Sequence, residues 1–385
     1  MKVDPWSRLR SVGLLPLVGL LPLVGLLRLG DGLRLAAPSR SAGGLRLAAG
    51  LLLSGSGLLA SGLALAQGSG EQRAEAAGHS LIGSPAPRMV LKTIDGDTID
   101  LSKLYGKKAV YLKFWATWCV PCREQMPHFE KTFESRGPDL EVIAINAGFN
   151  DSVDDVREYR KRLGIKMPIV IDDGTLGTAL NLRVTPQHVV IGRDGRVQYV
   201  GHLANEQLET ALVAARKLSS GNGAGGAVLV KAASHGAGHS DGVGEVAPPF
   251  SLTASDGTQF GNKGPVVLVF LAPWCESYLE TSRAAASARC RDVRLQVAEL
   301  AKQHPHVRWL GVASGLWSSP DELSQYAAKY KVTIPLTMDE SGALFNSFHV
   351  RSVPTVIAIN GSGKIEHRID VGDPIAKLSQ VASAH

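Results

Sequence analysis

The stretch Ala109-Val110-Tyr111-Leu112-Lys113-Phe114-Trp115-Ala116-Thr117-Trp118-Cys119-Val120-Pro121-Cys122 decides how this chain folds. Its first seven residues are apolar or aromatic apart from Lys113, and read as a largely buried strand. Residues 123–133 then carry Met126, Phe129 and Phe133 at helical spacing. Cys119 therefore falls where a strand gives way to a helix, and the unpaired N–H groups and dipole of a helix N-terminus favour a thiolate. A Cys-x-x-Cys pair in an α/β setting reads as a redox site. A zinc site needs four ligands, and here His128 and His188 stand isolated with no second Cys-x-x-Cys nearby. A purely structural bridge across so short a loop would stabilise little, because the entropic gain grows with loop length.

The chain has 385 residues, enough for two ordinary domains and extensions. Its net charge is +6, but residues 1–66 hold seven Lys/Arg against Asp4 and Asp31, so only +1 belongs to the remainder. Nothing in that distribution argues for a nucleic-acid partner. Four cysteines, Cys119, Cys122, Cys275 and Cys290, are too few for a disulfide scaffold of this length.

The first 66 residues read as a leader. Gly-Leu-Leu-Pro-Leu-Val occurs at 13–18 and again at 19–24, and Pro16 and Pro22 make this a poor membrane span. Arg46, the apolar stretch 47–63 and Ala64-Leu65-Ala66 match a signal peptide cleaved after Ala66. The competing reading is an uncleaved anchor, which Gly50, Gly55, Gly57 and Gly62 weaken.

From residue 80 onward the chain repeats itself. Phe114-Trp115-Ala116-Thr117-Trp118-Cys119 corresponds to Phe270-Leu271-Ala272-Pro273-Trp274-Cys275. Pro168-Ile169-Val170-Ile171-Asp172 corresponds to Pro335-Leu336-Thr337-Met338-Asp339, and Arg183-Val184-Thr185-Pro186 to Arg351-Ser352-Val353-Pro354. Asp95-Gly96-Asp97-Thr98 and Asp256-Gly257-Thr258 are the matching hairpin turns. Alternating strand and helix signals in each unit predict an α/β fold, a central mixed sheet flanked by helices, twice over. The expected domains are 80–217 and 245–385, joined by a Gly/Ala/Ser/His-rich linker at 218–244. His235 and His239 have metal-pair spacing, but the surrounding glycines make them linker residues.

These residues resemble the thioredoxin superfamily, specifically the exported TlpA/ResA-type thioredoxins: Phe114 through Arg123, then Met126-Pro127, and Val184-Thr185-Pro186. The resemblance implies two tandem thioredoxin-like domains. It implies that Cys119 attacks, that Cys122 resolves the mixed disulfide, and that Trp118, Thr185 and a cis Pro186 shape the client contact. It departs from thioredoxin at Lys113, which stands where a buried acid is expected. A cation there would favour the thiolate, and a Lys reaching out to solvent is the alternative. Many relatives also carry Glu at the position of Gln125, so Glu124 is the candidate for proton handling.

In the second unit Tyr278 stands where Cys122 does in the first, so Cys275 lacks its adjacent resolving thiol. Cys290 lies fifteen residues further on, about 22 Å away along an unbroken helix and too far to bridge. The interval from Cys275 to Pro335 is, however, eleven residues longer than that from Cys119 to Pro168, and residues 284–294 have room to fold Cys290 back. A second redox pair, a degenerate domain and a peroxidase-type Cys275 all stay open, the last opposed by Ala272 three residues before it. The expected function is thiol–disulfide exchange with exported clients, as a reductase, without a cofactor. The clients carry thiols or disulfides, an apocytochrome or a copper-handling protein being what the resemblance implies, and a membrane thiol–disulfide carrier supplies electrons. The expected location is the periplasm, either free or anchored in the inner membrane. The rival reading is a client-binding adaptor whose redox activity is secondary.

Overall fold

Seven consecutive buried residues, Ala109–Trp115, form the central strand of the first unit, which is why so apolar a run tolerates no solvent-facing side. The computed structural model describes residues 69–218 and 242–383 except Lys263; the leader at 1–66 and His235 and His239 lie outside them. In the first unit the order is α1 (Gly70–His79), β1 (Val90–Lys92), β2 (Thr98–Asp100), α2 (Leu101–Leu104), β3 (Ala109–Trp115), α3 (Val120–Glu134), β4 (Leu140–Asn146), α4 (Val153–Leu163), β5 (Ile169–Ile171), α5 (Thr175–Ala179), β6 (Gln187–Ile191), β7 (Val197–Gly201) and α6 (Glu206–Lys217). The second unit follows with β8 (Ser251–Thr253), β9 (Gln259–Gly261), β10 (Val266–Leu271), α7 (Cys275–Tyr278), α8 (Ala284–Gln303), β11 (Trp309–Ser314), α9 (Pro320–Tyr330), β12 (Leu336–Asp339), α10 (Ala343–Ser347), β13 (Thr355–Ile359), β14 (Ile365–Ile369) and α11 (Leu378–Ser383).

Each unit builds a five-stranded mixed sheet with the same topology, β5-β4-β3-β6-β7 and β12-β11-β10-β13-β14. The first three strands of each run parallel and the last two antiparallel. The register even shifts at equivalent places, between Val190 and Ile191 and between Ala358 and Ile359. Both hairpin turns form, with Gly96 and Gly257 at positive φ, a conformation that glycine adopts without a Cβ penalty. Thr185–Pro186 and Val353–Pro354 are both cis.

Two features differ from the sequence reading. Helix α1 precedes the expected boundary at residue 80 and carries only alanines and a glycine, Ala74, Ala77 and Gly78, on its buried side. That is too weak an apolar pattern to announce a helix, although Ser69 and Gln72 form a capping box. In the second unit the helix after the cysteine is broken: α7 ends at Tyr278, and α8 starts afresh at Ala284. The restart turns Cys290 back to a Cα distance of 6.3 Å from Cys275, and the two are disulfide-bonded.

One apolar cluster runs through both units without a gap, from Tyr111, Trp115 and Phe129 through Trp118 and Phe149 to Phe270, Phe345 and Phe348. Phe149 meets Trp274 and Phe345 at ring distances of 6.2 and 6.0 Å. Shared burial of this kind couples the units' stabilities. A single calorimetric transition is the expected outcome; two transitions, with Trp fluorescence and far-UV ellipticity changing separately, would contradict it.

Candidate active site

Cys119 is the N-cap residue of α3, with Pro121 in the first turn. Pro is accepted there because that turn's N–H groups have no helical partner. The Cys119 sulfur accepts the Cys122 N–H at 3.2 Å and lies 3.3 Å from the Thr185 carbonyl oxygen, the last atom group before cis Pro186. The two cysteines form a disulfide with a Cα distance of 5.2 Å. Four of the residues named from sequence, Cys119, Cys122, Thr185 and Pro186, therefore meet at one point. Trp118 joins them, held by its indole N–H donating to the Phe149 carbonyl at 2.8 Å.

Behind the dithiol the sheet buries polar groups. Lys113 is fully buried, so the expectation of a Lys that reaches solvent is corrected. Strand alternation puts it on the face covered by α3, with its ammonium 5.2 Å from the centre of the Phe129 ring and no hydrogen-bond partner among the described residues. Loss of hydration alone pushes this amine down to about 7. Its neighbour across the sheet is His188, held well below the ordinary imidazole value first by burial and then by Lys113. The His188 Nδ1 pairs with the Tyr111 hydroxyl at 2.8 Å and its Nε2 with Gln125 Oε1 at 2.8 Å. The Gln125 amide donates to the His202 carbonyl at 3.1 Å, and His202 Nδ1 pairs with the Pro186 carbonyl at 2.7 Å. Gln125 thus ties α3 to the cis-proline loop, while Glu124 lies exposed on the same helix.

The dithiol is closed off: Cys119 is 1% exposed and Cys122 not at all. The cover is the second unit. Trp274 stacks on Trp118 with centroids 4.9 Å apart and planes 28° apart, and the Tyr278 ring stands edge-on to both. The Val120 N–H donates to the Tyr278 hydroxyl at 3.1 Å. The Arg283 guanidinium donates to the Thr117 hydroxyl, the Asn150 carbonyl and the buried Asp151 carboxylate. Asp151 in turn accepts the Thr117 N–H and the Asn146 amide, which fixes the turn before Trp118.

The cover is reciprocal. Asn150 and Trp317, the left-handed residues after β4 and β11, have φ of 56° and 57°. The Asn150 N–H donates to the Arg351 carbonyl at 2.8 Å, and the Trp317 N–H to the Arg183 carbonyl at 2.9 Å. Asn150 Oδ1 also accepts the Val353 N–H at 2.9 Å, and the Trp317 indole donates to the Thr185 hydroxyl at 3.1 Å. Each unit's cis-proline loop is occupied by the other's left-handed loop. None of Asn150, Trp274, Tyr278, Arg283 and Trp317 was singled out as a site residue from the sequence: Trp274 and Tyr278 stood out only as counterparts of Trp118 and Cys122 in the repeat, and the roles of all five exist only across the interface.

A buried disulfide at a helix N-terminus, beside the carbonyl that precedes a cis-proline, is built for thiol–disulfide exchange. Residues 82–200 match the AhpC/TSA family. The thiol-disulfide oxidoreductase ResA of Bacillus thuringiensis is 35% identical over 133 residues, which span 33% of this chain and 75% of that protein. The ResA of Bacillus subtilis is 37% identical over 119 residues, 30% of this chain and 64% of that one. This chain belongs to the thioredoxin-like AhpC/TSA family. It is a thiol-disulfide oxidoreductase. A thioredoxin-family thiol:disulfide interchange protein from Chlorobium tepidum is matched at 30% identity over 35% of this chain and 97% of its own, with a TM-score of 0.30. Family membership rests on the first unit, since the match at 82–200 ends before the second begins.

Two outcomes follow from this geometry. A Lys whose folded value is depressed resists protonation in the folded state, so folding is penalised fully below pH 7 and not at all above about 10.5. At ~1.36 kcal/mol per pH unit the penalty is at most about 5 kcal/mol. Lys113→Met is expected to raise the urea midpoint at pH 7 and to lose the gain in stability that the parent shows between pH 7 and 9.5. Equal pH slopes for parent and variant would refute this. Trp274→Ala/Tyr278→Ala removes a ring stack and a hydrogen bond, together about 2 kcal/mol. Stopped-flow reduction by dithiothreitol should then open the Cys119–Cys122 disulfide roughly tenfold faster or more; an unchanged rate would show that the cover does not limit access.

Proposed function

We propose that this oxidoreductase reduces disulfides of exported client proteins. The Cys119 thiolate attacks a client sulfur, and Cys122 attacks Cys119 in the mixed disulfide, releasing the reduced client and leaving the Cys119–Cys122 disulfide. A membrane-borne thiol–disulfide carrier returns two electrons to the pair. Trp118, Thr185 and Pro186 receive the client strand, which displaces the Trp317 indole from the Thr185 hydroxyl. The observation that carries this reading is the Cys119 sulfur held between the Cys122 N–H and the Thr185 carbonyl.

The direction is supported by the surroundings of the sulfurs. Strong oxidants stabilise their thiolate with nearby positive charge, which favours the reduced form. Here burial holds Lys113, behind the dithiol, down to about 7, it keeps His188 towards its neutral form, and both sulfurs belong to the apolar cluster that includes Trp118, Met126 and Phe129, with Trp274 packed against it. An apolar wall of this kind disfavours the thiolate and favours the disulfide, so the reduced pair gives up electrons readily. Export is supported by the pattern at 46–66 and by the pairing of all four cysteines in disulfides, which persist in oxidising compartments.

The reduction potential of the Cys119–Cys122 pair, measured by glutathione or dithiothreitol titration in a Cys275→Ser/Cys290→Ser chain, is expected near the thioredoxin value of about −270 mV. A value near about −120 mV, that of a strong oxidant, would reverse the direction. A Cys122→Ser chain should accumulate mixed disulfides with exported clients, and Cys119→Ser should not.

A further inference from the structure

The second disulfide sits in a setting that a mere staple does not need. Cys290 enters from the middle of α8 and takes up, in its own unit, the place that Cys119 holds in the first. Its sulfur lies 3.7 Å from the carbonyl of Val353, the residue before cis Pro354, as Cys119 lies 3.3 Å from that of Thr185. Cys275, the sequence counterpart of Cys119, is displaced towards the Ala286 carbonyl, 4.0 Å away. Exposure separates the two residues further. Cys275 is 2% exposed and Cys290 9%, the most of any of the four cysteines.

Cys290 and Pro354 line a partly open groove between β10, α8 and α9. A groove set between a strand and two helices admits the end of a small molecule and not a folded client. Its walls are apolar, made by Val293, Val297, Tyr326 and Ile334 among others. The charged residues in the wall, Glu276 and Arg294, neutralise one another in a two-point ion pair at 2.7 and 3.0 Å. Lys331, exposed and itself a lining residue, adds positive charge suited to an arriving thiolate.

We propose that Cys275–Cys290 is a second exchange centre whose attacked sulfur is Cys290 and whose substrate is a small apolar dithiol bound in this groove. One thiolate of the dithiol forms a bond to the Cys290 sulfur as the Cys275–Cys290 bond breaks, and Cys275 leaves as a thiolate that takes up a proton. The second thiolate of the substrate then attacks its own partner sulfur, closing the substrate disulfide and releasing Cys290 as a thiolate, which is protonated in turn. The dithiol is oxidised by two electrons and the cysteine pair reduced by two. The centre stands independently of the Cys119–Cys122 reading, so it is tested in a Cys119→Ser/Cys122→Ser chain, where failure of one says nothing about the other.

In that chain dihydrolipoamide, a small apolar dithiol, is expected to generate two titratable thiols per folded molecule at least tenfold faster than dithiothreitol at equal thiolate concentration. Dihydrolipoamide methylated on one sulfur cannot complete the second step, and peptide mass mapping should find it attached to Cys290. Ala298→Trp, which fills the groove from the half-exposed side of α8, should slow reduction by dihydrolipoamide at least tenfold. The proposal is overturned if the disulfide survives both dithiols in the folded chain, if their rates are equal, or if the trapped adduct sits on Cys275. Should Ala298→Trp fail to fold by circular dichroism, the rate comparison and the adduct map on the parent chain decide.

Discussion

Two backbone hydrogen bonds hold the rest of this structure in place: Asn150 N–H to the Arg351 carbonyl, and Trp317 N–H to the Arg183 carbonyl. Both cross the interface between the units, where leaving an amide unpaired costs about as much as a lost hydrogen bond. Forming them requires left-handed backbone at two non-glycine residues. Asn adopts it readily, whereas a tryptophan there is rare and must be held by its surroundings. Trp317 is held by its indole bond to Thr185 and by the edge of the His202 ring, 5.6 Å away. Once the loops are docked, the Trp118–Trp274 stack and the burial of Cys119 and Cys122 follow from simple geometry.

This seam gives the departures of the second unit a physical meaning. A cysteine at position 278 could not reach the first unit's α3, but a phenol can, and Tyr278 uses its hydroxyl to take the Val120 N–H. With the adjacent sulfur replaced, a thiol partner for Cys275 had to come from elsewhere in the chain. The break between α7 and α8 supplies it by bringing Cys290 to the carbonyl before Pro354. The second unit has exchanged a local dithiol for one assembled across a chain reversal. Its sulfur now faces a groove of its own unit while its old active face is spent on the first.

The groups behind the first dithiol show how low dielectric shapes a site without touching it. Lys113, His188 and His202 are all pushed towards their neutral forms, and desolvation is the leading cause for each. Neutral His188 can then accept and donate at once, which lets it join Tyr111 to Gln125 and, through His202, to the Pro186 carbonyl. A charged imidazole has only donors, so the Tyr111 hydroxyl would have to accept from it instead of donating to it. Gln125, an amide, suits such a neutral network because it offers both a donor and an acceptor.

The sequence by itself determined the dithiol, the duplication and the alternation of strands and helices, because each of these is local or periodic. Cys119-Val120-Pro121-Cys122 after an unbroken apolar strand is readable from neighbours in the chain, and the repeated Arg-x-x-Pro segments mark where both cis-prolines fall. Lys113 was legible as a departure, but not its burial, which depends on α3 and β6 closing over it. Helix α1 was missed because its buried residues are small. Only the tertiary structure decided that Cys290 returns to Cys275, that Glu124 faces outward while Gln125 faces in, and that each unit's cis-proline loop meets the other unit's left-handed loop. Those outcomes rest on pairs such as Trp118 and Trp274, or Asp151 and Arg283, more than a hundred residues apart. No local pattern encodes such pairs, because the free energy that joins them exists only once both units have folded.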